Sequence, residues 1–540
     1  MNPPAAEGRL ARVAAWTFVV LAGCAALAAL PFRTFDLDRF LVPKELALHV
    51  GATVALVLTI AMGAQSRRSR LDIVMLGFLV LSALSAAAAP NHWLAVRALS
   101  ISISGAFAWW AARSIAGHAE RGGRDVLIAG LAVATVIGAG TALAQAYGVS
   151  SDLASLSRAP GGTFGNRNFM AHVAAAGVPL LAYLALTARR PGGAMLAALG
   201  LGVNAAALVL SRTRAAWLAL VCCALMAVAA WLWRRGTMWR DPSARRGLVL
   251  LIGGLVLGGA GALVVPNSLD WKSENPYLES AKGLVNYKEG SGRGRLKQYS
   301  NSARLALQHP VLGVGTGNWP VEYPGVAPAS DPSLSQDSGM TANPWPSSDW
   351  IAMLSERGPL AFMLWTVLLV SLGLGGLRGW GRLDLPLDAR LRALCGAALL
   401  VVVAVEGAFD AVLLLALPTM LLWGSVGVML PPRDETTAVR VSRGRRVLLG
   451  VAVLLAGLAS AEYSALKIAS MNAFNDGQLA RAASLDPGSF RARLRYAQLM
   501  LARGSRKRGC EDALAARALF PRSPEAKRTA SGCRDAAPPR

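Results

Sequence analysis

Residues 193–233 read GAMLAALGLGVNAAALVLSRTRAAWLALVCCALMAVAAWLW. Two apolar runs stand on either side of Ser211-Arg212-Thr213-Arg214, and each is near the roughly 20 residues that a helix needs to cross a hydrocarbon core. The pattern recurs along the chain. Candidate spans, thirteen in all, begin near Val13, Leu46, Leu71, Leu94, Asp125, Asn168, Gly193, Ala215, Gly247, Leu360, Leu391, Ala411 and Val447. Composition agrees: of 540 residues, 54% are hydrophobic and 16% charged, where a soluble chain carries about 25% charged residues. Mean hydropathy is +0.42. The expected fold class is all-α, a polytopic transmembrane helical bundle of about 13 spans. The first run, Arg12 to Pro31, has the length of a signal peptide, but so many spans follow that it reads as a retained helix.

The net charge of +24 invites a nucleic-acid partner, and its placement argues against one. Most arginines sit in short connections between apolar runs, where they act as topology signals. With the N-terminus inside, every second connection is rich in Arg. These hold Arg67/Arg68/Arg70, Arg121/Arg124, Arg189/Arg190, Arg234/Arg235/Arg240/Arg245/Arg246, Arg378/Arg382/Arg390/Arg392 and Arg433/Arg440/Arg443/Arg445/Arg446. The connections opposite hold few cations, as the positive-inside rule requires. This orientation places a large loop, 266–348, and the tail after Ile468 outside the cytoplasm.

The chain thus divides into a membrane domain, 1–467, and a tail, 468–540. The tail carries Ala482-x-x-Leu485-x-Pro487-x-Ser489 and, 34 residues later, Ala516-x-x-Leu519-x-Pro521-x-Ser523. That period is the tetratricopeptide one, and Phe490 to Arg503 and Arg508 to Phe520 have helical apolar spacing. A docking or bracing module for a protein partner is expected. Of six cysteines, Cys24, Cys222, Cys223 and Cys395 lie in apolar runs, where Cys behaves as a small hydrophobe. Cys510 and Cys533 lie in the tail, where an oxidising compartment would let them pair.

Ionisable groups beside membrane spans are costly and therefore functional candidates. Arg214, with Arg212 beside it, opens the eighth span at the level of a lipid diphosphate, and a guanidinium fork suits paired phosphate oxygens. Arg293 and Arg295 occur in Gly292-Arg293-Gly294-Arg295-Leu296-Lys297-Gln298-Tyr299 within the large loop. Asn166 and Asn168 open the sixth span, either as caps or as hydrogen-bonding groups for a sugar or diphosphate. Lys44 and Glu45 begin the second span, with mutual pairing the first reading and ligand contact the second. The glycines of Gly313-Val314-Gly315 read as turn-formers, since no Lys-Ser/Thr follows to make a phosphate loop.

Thr163-Phe164-Gly165-Asn166-Arg167-Asn168, Arg214-Ala215-Ala216-Trp217, Arg295 with Tyr299, and His309-Pro310-Val311-Leu312-Gly313-Val314-Gly315 together resemble the O-antigen ligase/polymerase family. The resemblance covers about 159–430 through separated motifs in the family's order. It implies a bacterial inner-membrane glycosyltransferase, with undecaprenyl-diphosphate-linked glycan as donor and with loop and tail in the periplasm. Acceptors would be lipid A core in a ligase, a second lipid-linked glycan in a polymerase, or a protein hydroxyl. Ligase stands first on the spacing of the Arg214, Arg295 and Pro310-to-Gly315 motifs. No cofactor is implied and no metal-ligand cluster is visible, so Arg214 and Arg295 would supply the cationic stabilisation.

The chain departs from the family at one place that matters. Counting back from Glu356-Arg357-Gly358 puts Ser347 where the family has the His taken as general base, and serine cannot fill that role unaided. Asp349 and Glu356 are the carboxylate candidates in its stead, with His309 the nearest histidine along the chain. Two readings of other classes are a transporter or flippase, which would show internal repeats of spans, and a non-catalytic assembly scaffold built on the tail.

Overall fold

The computed structural model describes residues 3–533 apart from 36, 63–65, 119–121, 156–157, 234–240, 272, 274, 284–289, 336–339, 431–435 and 440. Of the arginines read as topology signals, Arg121, Arg234, Arg235, Arg240, Arg433 and Arg440 lie outside the described residues.

The chain opens with nine helices: α1 (Pro3–Leu27), α2 (Asp38–Ala61), α3 (Arg70–Ala87), α4 (His92–His118), α5 (Gly122–Ala146), α6 (Arg167–Thr187), α7 (Pro191–Ser211), α8 (Arg214–Trp233) and α9 (Pro242–Val264). A long connection follows, holding α10 (Pro276–Lys282), α11 (Gly290–Gln308) and α12 (Trp319–Glu322). Next come α13 (Asp349–Gly381), α14 (Leu387–Phe409), α15 (Ala416–Met429) and α16 (Arg443–Asn475), and finally α17 (Leu479–Leu485), α18 (Phe490–Ala502), α19 (Arg506–Leu519) and α20 (Pro524–Ala530). The expected all-α bundle is what the chain forms.

Among the described residues, 12 helices are long and apolar enough to cross a membrane: α1 to α9, α13, α14 and α16. This corrects the expected count of thirteen. The run near Ala411 becomes a turn followed by α15, whose 14 residues reach about 21 Å at 1.5 Å per residue. Every residue of α15 is buried among its neighbours, so other helices shield its short length from lipid.

α15 nevertheless carries the chain from one end of the bundle to the other. A short antiparallel ladder joins β1 (Ser66–Arg68), in the α2–α3 connection, to β2 (Thr436–Val439), which follows α15. The connections between α4 and α5, α6 and α7, α8 and α9, and α13 and α14 border one cavity of about 970 Å³ that includes Arg124, Arg189, Arg190 and Arg392. Arginine-bearing connections therefore gather at one end, and the α9–α13 connection lies at the other, called here the loop end.

Packing follows membrane rules. Helices approach closely where small residues face each other: a Cβ placed on Gly258 of α9 would stand 2.2 Å from the Gly202 carbonyl oxygen of α7. α13 is broken at Gly358, with φ 80° and ψ 167°, immediately before Pro359, which lacks an N–H and disfavours helix in the residue before it.

A buried ionic network pins the loop end. Arg97 of α4 binds both Glu45 oxygens through Nε (3.1 and 3.0 Å) and reaches Asp38 through Nη1 (2.8 Å). Lys467 of α16 lies 3.4 Å from Asp38 and 3.5 Å from Asp486. Removing one partner leaves an uncompensated buried charge, at a cost of about 3–5 kcal/mol. Arg97→Gln is thus expected to lower the unfolding temperature of the detergent-purified protein markedly; an unchanged melt would show that the network is dispensable.

The tail stands beyond α16 as antiparallel helices, with α18 and α19 close to their expected limits. Its Cys510 and Cys533 form a disulfide 23 residues apart in sequence. Closing a loop of that size stabilises by about 3 kcal/mol. Both thiols should resist maleimide until the purified chain is reduced, and reduction should loosen the tail to protease. Labelling without reductant would contradict the pairing.

Candidate functional site

The loop end assembles the site from the start of α6, the ends of α7 and α14, and α11. Asn166 caps α6, its side-chain oxygen accepting the Asn168 N–H at 3.0 Å, an ordinary use of Asn. Asn168 and His172 follow on one helix face, four residues apart. Asn168 Nδ2 donates to Asp410 Oδ2 (3.0 Å), and its Oδ1 accepts the Thr213 hydroxyl (3.3 Å). His172 is fully buried. Its Nδ1 lies 3.2 Å from Glu406 Oε1 and its Nε2 lies 3.5 Å from Asp410 Oδ2. These are close approaches outside hydrogen-bond alignment, ionic when the ring is protonated.

Asp410 ends α14. Its side chain is 13% exposed, whereas those of Glu406 and His172 are 0% exposed, so Asp410 is the member of the trio that solvent or substrate can touch. Oδ1 accepts the N–H of Ala411 (2.9 Å). Burial pushes the Asp410 carboxyl upward, but the His172 ring and the charge of Arg295 outweigh it and hold the group below its ordinary value.

Arg295 is half-buried on α11 and acts on Asp410 through its charge. One turn on, the Tyr299 phenol sits between the carbonyls of Ser347 (2.7 Å) and Ala408 (2.8 Å), clamping α11 to the approach to α13 and the end of α14. On the other flank, Arg214 Nη1 donates to the Gly283 carbonyl (2.7 Å). Hydrogen bonds therefore link Thr213, the neighbour of Arg214, to Asn168 and on to Asp410, on which the charge of Arg295 acts.

Other sequence-predicted residues are engaged with backbone groups. Asp349 accepts the N–H groups of Val412 (3.0 Å) and Leu413 (2.9 Å). Glu356 accepts those of Gly317 (2.9 Å) and Trp319 (3.4 Å). Both carboxylates are buried, and both hold turns. Ser347 donates its N–H to Gln298 Oε1 (2.6 Å). Gly313 and Gly315 take positive φ, as turn-formers do.

The expected Lys44–Glu45 pairing is overturned. Lys44 Nζ donates to the Ala25 (2.8 Å) and Ala28 (2.6 Å) carbonyls at the C-terminal end of α1, where a cation is favoured, while Glu45 belongs to Arg97. Arg212 donates to Ser280 (2.9 Å) and covers the Trp271 ring at 4.6 Å; Arg167 lies 5.2 Å from the same ring. Arg293 and His309 are exposed.

Sequence reasoning missed His172, Glu406 and Asp410. The signal was present: Asn168/His172 and Glu406/Asp410 are two polar pairs at helical spacing of four within or beside apolar runs, where each ionisable group is a functional candidate. Among the described residues, no group of three or more His, Cys, Asp or Glu is arranged to hold a metal ion.

No curated protein matches the chain. A family model does match, over residues 196–366, the stretch from α7 into α13. It contains Arg214, Arg295, Asp349 and Glu356, whereas Asn168, His172, Glu406 and Asp410 lie outside it. That model is described as O-Antigen ligase, and over the matched residues the chain carries the sequence pattern of this family.

Proposed function

We propose that this chain transfers a glycan from a polyprenyl-diphosphate carrier to an acceptor hydroxyl at the periplasmic face of the inner membrane. Lipid A core stands first as acceptor. The observation that carries the reading is Asp410, held by Asn168 and acted on by the charge of Arg295, with Arg214 next in the chain to the Thr213 that Asn168 also contacts. A carboxylate with two arginines at the same end of the bundle suits a reaction in which a diphosphate leaves and a hydroxyl loses a proton. The disulfide and the arginine-rich connections at the opposite end support the orientation.

The acceptor oxygen attacks the anomeric carbon while the carbon–oxygen bond to phosphate breaks. The electron pair departs with the diphosphate, whose growing charge Arg214 and Arg295 neutralise in the way a divalent cation does elsewhere. The acceptor proton passes to Asp410, which fills the base role left open by Ser347, as carboxylates do in glycoside chemistry. His172 and Glu406 behind it are positioning residues that fix its charge and direction.

The test is deletion of the gene followed by analysis of surface and lipid-linked polysaccharide. Loss of glycan-capped acceptor with retention of lipid-linked polymer is the expected result. Accumulation of single lipid-linked repeats would reassign the chain to polymerisation, and an unaltered profile would overturn the reading.

A further inference from the structure

The tail has a surface unlike the rest of the loop end. From Leu479 to Cys533, eleven Lys and Arg side chains are exposed, among them Arg503, Arg506, Lys507 and Arg508, and none of the four carboxylates there is. Those carboxylates are drawn inward: Asp486 lies beside Lys467 (3.5 Å) and Asp512 beside Arg493 (2.7 Å), while Glu525 accepts from Gln498 (2.9 Å). In the same stretch no large hydrophobic side chain is exposed. Protein interfaces rely on buried aromatic or aliphatic anchors, and amphipathic helices enter a bilayer through an apolar face; this surface offers neither.

The tail is also fixed over the site's own loop. Arg522 pairs with Glu322 (3.1 Å), the last residue of α12, and Asn91 Nδ2 donates to the Leu519 carbonyl (3.1 Å). Tyr323, next to Glu322, donates to Asp331 (2.9 Å), which also accepts from Asn301 (2.8 Å). Asn301 shares α11 with Arg295.

We infer that the tail is a docking face for a polyanionic glycan, one bearing phosphate or carboxylate groups, and that it presents this glycan to the site as acceptor. The inference rests on the glycosyl-transfer reading and names the acceptor's chemical class. A solvent-exposed face of like charge raises the local concentration of such a partner through long-range attraction and gives up that gain as salt screens it.

The full chain in nanodiscs of zwitterionic lipid would be titrated with deacylated, phosphorylated lipid A–core oligosaccharide and with the same oligosaccharide after phosphatase. Saturable, salt-sensitive binding of the phosphorylated form alone is expected, weakened roughly ten-fold in Arg503→Gln/Lys507→Gln/Arg508→Gln, since exposed pairs are individually small and act together. With phosphorylated acceptor, the same variant should raise KM and spare kcat. Equal binding of both oligosaccharides, or a variant that binds as wild type does, would overturn the inference. Loss confined to anionic phospholipid vesicles would also overturn it and assign the face to the membrane surface. Binding is read without turnover, so an enzyme that binds yet transfers nothing would sink the glycosyl-transfer reading alone.

Discussion

Asp410→Asn is expected to lower glycan transfer by a factor on the order of 10²–10⁴, the usual contribution of a positioned general base, while the protein stays folded. The substitution keeps the shape and one of the two oxygens, which accept separately from Asn168 (at Oδ2) and from the Ala411 N–H (at Oδ1); it gives up one of these contacts and the ability to take a proton. The groups facing this carboxylate are His172 and Asn168 from α6, Glu406 from α14, Arg295 from α11 and the Asp349 carboxylate from α13. Their balance holds Asp410 below its ordinary value, so the base form persists as pH falls through the usual carboxylate range. Turnover should then stay level from pH 8 to about pH 5, where a histidine base would already have been lost near its pKa of about 6.5. His172→Gln removes the ring that offsets burial, and its acidic limb should move upward while donor affinity holds. An acidic limb near 6.5 in the wild type, or full turnover in Asp410→Asn, would remove Asp410 from the base role.

Arg295→Ala and Arg214→Ala should each cost on the order of 10²–10³ in turnover, the scale seen when one preorganised group is taken from a developing negative charge. Arg295→Lys should recover little, because a single ammonium cannot reproduce two parallel N–H donors. The two positions differ in their surroundings. Arg295 loses its influence on Asp410 as well as on the leaving group, so its alanine variant should also shift the acidic limb upward; Arg214→Ala should not. Arg293→Ala, at an exposed side chain on the same helix, serves as the control and is expected near wild type. If all three behave alike, Arg214 and Arg295 carry no catalysis.

The architecture was readable because lipid imposes lengths. Runs of about 20 apolar residues and alternating arginine clusters are local signals, and twelve of the spans stand where those signals put them. α15 escaped because its hydropathy is that of a span while its helix starts only after the turn at Asp410, whose neighbours Val412 and Leu413 are held by Asp349 from 63 and 64 residues away. The same limit applies at the site. Arg214 and Arg295 announced themselves as cations beside apolar runs. The distinction between Asp349, Glu356 and Asp410 did not, since it depends on which backbone N–H groups each carboxylate meets after α11, α13 and α14 have packed. His172 lies inside a span and is fully buried, so its partners are fixed by the fold. Lys44 shows the reverse error, where adjacency to Glu45 suggested a pair and successive side chains on a helix point apart.

The central claim is most directly tested by purifying the chain into bilayers, supplying a polyprenyl-diphosphate-linked glycan and an acceptor, and following polyprenyl diphosphate release together with glycan on the acceptor. The account predicts release and transfer in equal amounts for the wild type, and loss of both in Arg214→Ala, Arg295→Ala and Asp410→Asn with binding of the donor retained in the last. Transfer that persists in Arg214→Ala and Arg295→Ala would contradict it.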